Sequence, residues 1–207
     1  MDVVIIDKNI GNPIEKLPDG LENLSQHNLL TYKSLREPLD AWAIEELIGH
    51  YVNYRKQISP SLNNLLPVSD FQLYAVSTGY PHKLGKTVTI KKIKEGVYEI
   101  QLALHPIRLI VTRRMSKSQQ NAIWHLFSGQ GDKFTYGNEH YHWHCPDSLA
   151  ALNQLYDLYH TRRLICLTLG NILGKIFVLK GFLSRNVLKG FLSRKLKNTY
   201  PNSSINE

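Results

Sequence analysis

The spacing of hydrophobic positions predicts a strand–helix–strand unit in the first half of the chain. Residues 28–34 form a short apolar run that favours a strand, and residues 71–77 form another. Between them, residues 39–57 carry apolar side chains at spacings of three and four, as an amphipathic helix does. Pro38 fits the first turn of this helix. Its predicted buried face consists of Trp42, Ala43, Leu47, Tyr51 and Tyr54.

Further patterns extend this unit into a mixed α/β domain. Residues 3–6 predict a strand, and residues 9–26, with two glycines and two prolines, predict a long loop. Residues 97–102 and 107–111 alternate between apolar and polar positions, which indicates a hairpin with its turn at residues 103–106. Residues 118–127, with Ser116 or Ser118 as N-cap, and residues 147–159 predict two more helices.

Composition places the chain in the ordinary globular class. Its length of 207 residues is enough for one domain with an appendage. The residues are 43% hydrophobic and 20% charged, a composition too apolar for a disordered chain. Cys145 and Cys166 are too few for a disulfide framework or a cysteine-based zinc site, and they favour a reducing, cytoplasmic location. The first residues lack the basic segment of a signal peptide.

Charge divides the chain into two parts. The net charge of +8 comes from residues 161–207, which hold nine of the 25 basic residues and one of the 17 acids. Residues 178–185 recur unchanged at residues 187–194, so we interpret residues 161–207 as a basic low-complexity tail and residues 1–160 as the α/β domain. The apolar stretch 164–183 is interrupted by Lys175 and Lys180, so we expect no integral membrane span. A cationic helix lying on a membrane or on nucleic acid is an alternative for the tail.

Several short motifs resemble the PD-(D/E)XK nuclease-like superfamily. They are Asp2 before the strand at residues 3–6, Thr31-x-Lys33 on the next strand, the helix at residues 44–55 and the strand at residues 73–76. The likeness covers roughly residues 1–160 and is closest to the bacterial Rpn-type branch, which consists of recombination-promoting nucleases and putative transposases. The resemblance implies an αβββαβ core whose first helix has no counterpart here. It also implies DNA as the partner and Mg²⁺ as the cofactor.

The chemistry of such a site requires two acids and a lysine. The acids hold Mg²⁺, which polarises the phosphodiester and lowers the pKa of a bound water. The lysine, two residues after the second acid, lies on the same face of its strand and beside that water. The resemblance therefore implies that Asp2 and Lys33 are the catalytic residues, with Asp2 also a metal ligand.

The second acid is missing, because Thr31 stands in its place. A neutral hydroxyl is a poor Mg²⁺ ligand, so we expect cleavage to be reduced or lost. Asp19, which follows Pro18, is an alternative first acid, and Asp7 lies at the far end of its strand. Glu45 or Glu46 on the following helix is a possible replacement for the missing acid.

Two other groups of residues are candidates for binding. Arg55 and Lys56 at the end of the central helix, Lys91 and Lys92, and the pair Arg113–Arg114 are predicted phosphate contacts, although each also fits an ordinary solvated face. His140, His142 and His144 would share one face of a strand and bind a metal there, but we favour a solvent-facing polar row. The sequence thus predicts a Mg²⁺-dependent DNA endonuclease-like protein of reduced or lost activity. The alternative is a non-catalytic nucleic-acid-binding or interaction domain with a cationic tail.

Overall fold

A computed structural model describes residues 3–7, 16–102 and 105–141 of the chain. Within these residues lie three helices, α1 (Ala41–Ile58), α2 (Ala122–His125) and α3 (Gly131–His140). Six strands form one sheet: β1 (Val3–Asp7), β2 (His27–Lys33), β3 (Phe71–Ser77), β4 (Thr89–Lys94), β5 (Val97–Gln101) and β6 (Ile107–Val111).

The sheet is mixed, with the order β1-β2-β3-β6-β5-β4. Its centre is parallel, because β3 pairs in parallel with both β2 and β6. The β1–β2, β5–β6 and β4–β5 pairs are antiparallel. The predicted strand–helix–strand unit is therefore confirmed as β2-α1-β3, and the predicted hairpin is confirmed as β5–β6. The mixed α/β class is confirmed with them.

Each face of the sheet carries its own hydrophobic core. Alternate residues of the central strands point to opposite faces, so Leu29 and Leu73 pack with α1 while Leu30 and Tyr74 pack on the other side. The second face is covered by α2, α3 and the segment around Leu21. The central strands are buried on both faces, which explains their nearly continuous apolar sequence.

Helix α1 begins later than the sequence indicates. Asp40 is its N-cap, and the carboxylate of Asp40 accepts a hydrogen bond from the Ala43 amide at 2.9 Å. Pro38 precedes this cap instead of occupying the first turn. The buried face consists of Ala43, Ile44, Leu47 and Tyr51. Trp42 was predicted to be buried but is 67% exposed, because it lies on the side of the helix turned away from the sheet.

Two elements of the fold were not predicted from the sequence. β4 is an edge strand whose sequence, TIKKIK, is largely exposed and therefore lacks the pattern of a buried strand. α3 contains two glycines and buries only Phe134 and Gly137. Gly137 is needed there, because a Cβ at this position would come within 2.8 Å of the Ala122 carbonyl oxygen of α2.

Other predictions are corrected or fall outside the described residues. The helix predicted at residues 118–127 is a 3-10 turn at Gln119–Asn121 followed by the short α2, and Ser118 makes no side-chain cap. The helix predicted at residues 147–159, the tail and Asp2 lie outside the described residues. Among the residues that are described, no helix combines the length and the apolar character needed to cross a bilayer.

Candidate functional site

The carboxyl ends of the three parallel strands meet at one edge of the sheet. The register places Lys33 of β2 beside Ser77 of β3, and Ser77 beside Val111 of β6. The backbone pairing continues one step beyond the strands. The Thr78 amide donates to the Lys33 carbonyl at 3.1 Å, and the Arg113 amide donates to the Thr78 carbonyl at 3.1 Å. Lys33, Thr78 and Arg113 therefore form a continuous row across three strand ends.

Buried hydrogen bonds fix the backbone of this row. The hydroxyls of Thr78 and Thr112 both donate to the carbonyl of Phe127, at 3.2 and 2.9 Å. The Tyr32 hydroxyl lies 2.9 Å from the Thr78 hydroxyl. These groups are almost fully buried, so the bonds are shielded from water and hold the loops in place. The edge is thus rigid where ligands of open α/β sheets commonly bind.

Positive charge is concentrated in the loops at this edge. Residues 33–40, 78–83 and 112–118 carry six lysine and arginine residues but only two acids. One of the acids, Asp40, is engaged as the cap of α1. We call this surface the basic edge, defined by Lys33, Arg36, Lys83, Arg113, Arg114 and Lys117.

The cations of the basic edge differ in how they are held. The Arg114 guanidinium lies 4.3 Å from the centre of the Tyr80 ring and donates to the Tyr98 hydroxyl at 3.1 Å. Lys117 forms an ion pair with Asp132 at 3.2 Å, and both side chains are well exposed. Arg113 and Lys83 are exposed, and Lys33 is half-buried at the end of its strand. Lys33 and Arg113 are the two cations that belong to the backbone row, one at each end of it.

Thr31 stands where the resemblance implies an acid, and its side chain is buried in the core. It pairs with Val3 on one side and Ala75 on the other, and none of its surface is exposed. It shares a sheet face with Lys33, as the resemblance implies. Its hydroxyl has no hydrogen-bond partner among the described residues. A carboxylate here would be a buried charge that requires a cation beside it.

Asp19 is enclosed in a hydrogen-bond network of its own. Its carboxylate accepts from Lys94 at 2.5 Å, from Gln120 at 2.9 Å and from Asn121 at 2.6 Å. Its backbone carbonyl also accepts from the Trp124 indole at 2.9 Å. Partial burial alone would raise the pKa of Asp19, but the bonds from Lys94, Asn121 and Gln120 hold it below its usual value.

The structure does not bring Asp19 and Lys33 together. Asp19 contacts Lys94 on β4, and β4 lies four strand positions from β2 in the sheet, a distance of about 19 Å. Asp7 pairs with His27, so it lies at the opposite end of β2 from Lys33. Asp2 lies outside the described residues, so its distance from Lys33 and Thr31 stays a prediction.

The other predicted phosphate contacts are dispersed over the molecule. Arg55 donates to the Leu66 carbonyl at 2.8 Å and to the Tyr51 hydroxyl at 3.2 Å, at the end of the sheet opposite the basic edge. Lys56 is exposed nearby. Lys91 and Lys92 are exposed on the edge strand β4. Neither pair belongs to the basic edge.

The remaining metal candidates do not converge. Glu45 is exposed on α1, and Glu46 is partly exposed. His140 ends α3 instead of lying on a strand, and its ring stacks on Tyr136 with 4.0 Å between centroids. His142 and His144 lie outside the described residues. Across residues 3–7, 16–102 and 105–141, no group of three His, Cys, Asp or Glu side chains could hold a metal ion.

Comparisons with known proteins assign the chain to no family. No protein-family model, no curated protein and no solved structure matches the chain. The resemblance to nucleases therefore stays a prediction from the sequence.

Sequence reasoning found only part of the basic edge. It singled out Lys33 and the pair Arg113–Arg114, but as members of different surfaces. Arg36 and Lys83 gave no signal of their own, because each is a single cation in a loop. The sequence did offer a signal in their positions, because Lys33 ends a strand of the parallel centre of the sheet and the other residues lie in the loops that follow these strands.

Proposed function

We propose that the chain is a nuclease-like α/β protein that binds DNA through its basic edge and has lost metal-dependent cleavage. The observation that carries this proposal is the row of Lys33, Thr78 and Arg113 across three parallel strand ends. Phosphate contacts from lysine, arginine, hydroxyl and backbone groups supply most of the affinity for DNA and fix its position. The cytoplasmic location favoured by cysteine usage is compatible with DNA as the partner.

The order of elements supports the nuclease-like part of the proposal. β1 pairs with β2, β2 carries Thr31-x-Lys33, and α1 and β3 follow. This is the order in which the superfamily places its first acid, its acid-x-lysine strand, its helix and its next strand. Two strands precede α1 in the described residues, whereas the superfamily core has three. In this proposal the domain belongs to the Rpn-type branch of recombination-promoting nucleases.

The loss of cleavage follows from the chemistry of Mg²⁺. The ion prefers several oxygen ligands, with carboxylates supplying the charge. Thr31 is neutral and fully buried, and both carboxylate oxygens of Asp19 are already occupied far from Lys33. The resemblance implies Asp2 as an acidic ligand, and Asp2 lies outside the described residues. Mg²⁺ would polarise the phosphate and activate water if it were bound, while Lys33 would contact the scissile phosphate.

Binding is tested by measuring DNA affinity against salt concentration for the full chain. Each lost phosphate contact should reduce the slope of log K against log salt by about 0.9. Lys33→Ala and Arg113→Ala should each show this reduction. Lys91→Ala, on β4, should leave the slope unchanged. An equal reduction for all three variants would assign binding to general charge, including that of residues 161–207, and would refute the basic edge as the site.

Cleavage is tested by a plasmid-nicking assay with Mg²⁺ or Mn²⁺. We expect no metal-dependent nicking by the wild-type chain. Nicking that requires metal and disappears in Lys33→Ala would instead support an active endonuclease with Asp2 and Lys33 in its site. Equal nicking by the wild type and Lys33→Ala would show that this site does not perform it.

A further inference from the structure

The two outermost strands of the sheet differ in how they are protected from further pairing. The strand order places β1 at one end and β4 at the other, so each pairs on one side only among the described residues. The outward N–H and C=O groups of such a strand can pair with another chain, which charged side chains and bulges normally prevent. β4 has both protections, because it carries Lys91, Lys92 and Lys94 and its register shifts between Lys92 and Lys94.

β1 has neither protection. Its sequence, VVIID, contains four β-branched apolar residues and no proline or lysine. It pairs with β2 in an unbroken register, from Val3 opposite Thr31 to Asp7 opposite His27. Regular pairing on the inner side keeps the strand extended, so its outward backbone groups stay in line for a partner strand. Ile5, at the middle of β1, is 40% exposed, which adds an apolar side chain to this outer side.

We propose that β1 is a dimerisation strand, with which β1 of a second copy of this chain pairs in the antiparallel direction. The pairing joins the two six-stranded sheets into one continuous sheet. A two-fold axis at Ile5 pairs all five residues of the strand, with Ile5 opposite its own copy and Val4 opposite Ile6 of the second copy. Apolar residues therefore meet apolar residues at the centre of the contact, and the inference does not depend on DNA binding.

Charge and closure favour this register and this partner. Asp7 is the one charged residue of β1, and the axis at Ile5 keeps the two Asp7 residues at opposite ends of the pairing, about 13 Å apart along the strands. Moving the axis towards Asp7 would shorten the pairing and bring like charges opposite each other, which is destabilising. Pairing of β1 with β4 of another copy would instead build open filaments, and the lysines and register shift of β4 oppose it.

The test compares Ile5→Lys with Ile93→Lys in the full chain. Ile93 is the matched control, because it is a 45% exposed isoleucine on the opposite outermost strand, β4. Sedimentation velocity over a series of protein concentrations measures the monomer–dimer equilibrium. The wild type and Ile93→Lys should dimerise with the same dissociation constant. Ile5→Lys should raise this constant by about tenfold or more, because two lysines would lie opposite each other at the axis.

Crosslinking tests the register independently of the effect of a lysine on folding. In a chain whose Cys145 and Cys166 are replaced by serine, Ile5→Cys should form a disulfide-linked dimer under mild oxidation. The reason is that directly opposite residues of an antiparallel pair have Cβ atoms about 4.5–5.5 Å apart, close to the separation in a disulfide. Ile93→Cys in the same chain should stay monomeric on a non-reducing gel.

Three results would contradict the dimerisation strand. The first is a wild type that stays monomeric at every concentration. The second is an equal dissociation constant for the wild type and Ile5→Lys together with no crosslink in Ile5→Cys, which would move the dimer contact to another surface. The third is a monomeric wild type in which Ile5→Lys, but not Ile93→Lys, lowers the free energy of unfolding, which would assign the outer side of β1 to a segment of the same chain.

Discussion

His125 should make the protein less stable in mild acid. Its side chain is fully buried at the end of α2, with Nε2 3.1 Å from the Ser116 carbonyl. This contact assigns the proton to Nε2, and Nδ1 then faces no hydrogen-bond partner among the described residues. Charging the ring would bury a cation whose second N–H has no acceptor.

The electrostatic surroundings of His125 act in the same direction. Burial is the largest cause and lowers its pKa from 6.5 to about 4. The bond to the Ser116 carbonyl and the charge of Asp132 oppose this shift, whereas Lys133 and Lys117 add to it. The Tyr136 ring lies edge-on, with 5.4 Å between centroids, and offers no negative charge.

The sign and size of the effect follow from proton linkage. The unfolded chain binds the proton with a pKa of 6.5 and the folded chain with a pKa of about 4, so between these values the unfolded state holds more protons. The contribution of neutral His125 to the free energy of unfolding is therefore fully present above pH 6.5. It is lost as the pH is lowered towards 4. Between pH 7.5 and pH 5, His125 should remove about 2 kcal/mol of stability.

Urea unfolding of the wild type and His125→Gln at pH 7.5 and pH 5 measures this contribution. The variant is expected to be less stable at pH 7.5, so the decisive quantity is the change in stability between the two pH values. Burial and the nearby Arg55 also lower the pKa of His105, so the wild-type change contains both histidines. His105→Gln should retain the part that is due to His125. An identical pH dependence in the wild type and His125→Gln would refute the reasoning.

Two further substitutions test the site described above. Thr31→Val should raise the free energy of unfolding by about 1 kcal/mol, because it replaces a buried hydroxyl that has no described partner with a methyl group of the same shape; thermal or urea unfolding measures this. Asp19→Asn should lower the free energy of unfolding by about 2 kcal/mol, because a neutral amide cannot accept from Lys94, Gln120 and Asn121 together.

Each of these substitutions has a matched control. Thr112→Val removes a hydroxyl that does bond, to the Phe127 carbonyl, and should be destabilising by about 1 kcal/mol. Glu22→Gln removes the exposed ion-pair partner of Lys94 and should change stability by less than about 0.5 kcal/mol. A destabilised Thr31→Val would mean that the Thr31 hydroxyl has a partner after all. If Asp19→Asn has normal stability and Mg²⁺ stabilises the wild type, Asp19 is instead a metal ligand.

Local patterns of residues were enough to predict several elements of the fold. Residues that form β2, α1 and β3 carry buried side chains at the periods of a strand and of a helix, so their positions could be predicted to within a few residues. The β5–β6 hairpin followed from the same alternation. That Thr31 stands where the resemblance implies an acid is likewise visible in the sequence alone, because it depends only on which residue lies two positions before Lys33.

Long-range pairing of the strands determines which side chains these elements place next to each other. Trp42 has the spacing of a core residue, yet it lies on the side of α1 that faces solvent. β4 could not be predicted, because its exposed lysines lack the pattern of a buried strand and it pairs only at the edge of the sheet. Asp19 and Lys33 are 14 residues apart in sequence, but four strand positions separate β2 from the β4 lysine that Asp19 binds. Lys33 and Arg113 are 80 residues apart, yet two backbone hydrogen bonds through Thr78 join them. The basic edge exists because strand order is set by long-range pairing and burial, which no local pattern of residues specifies.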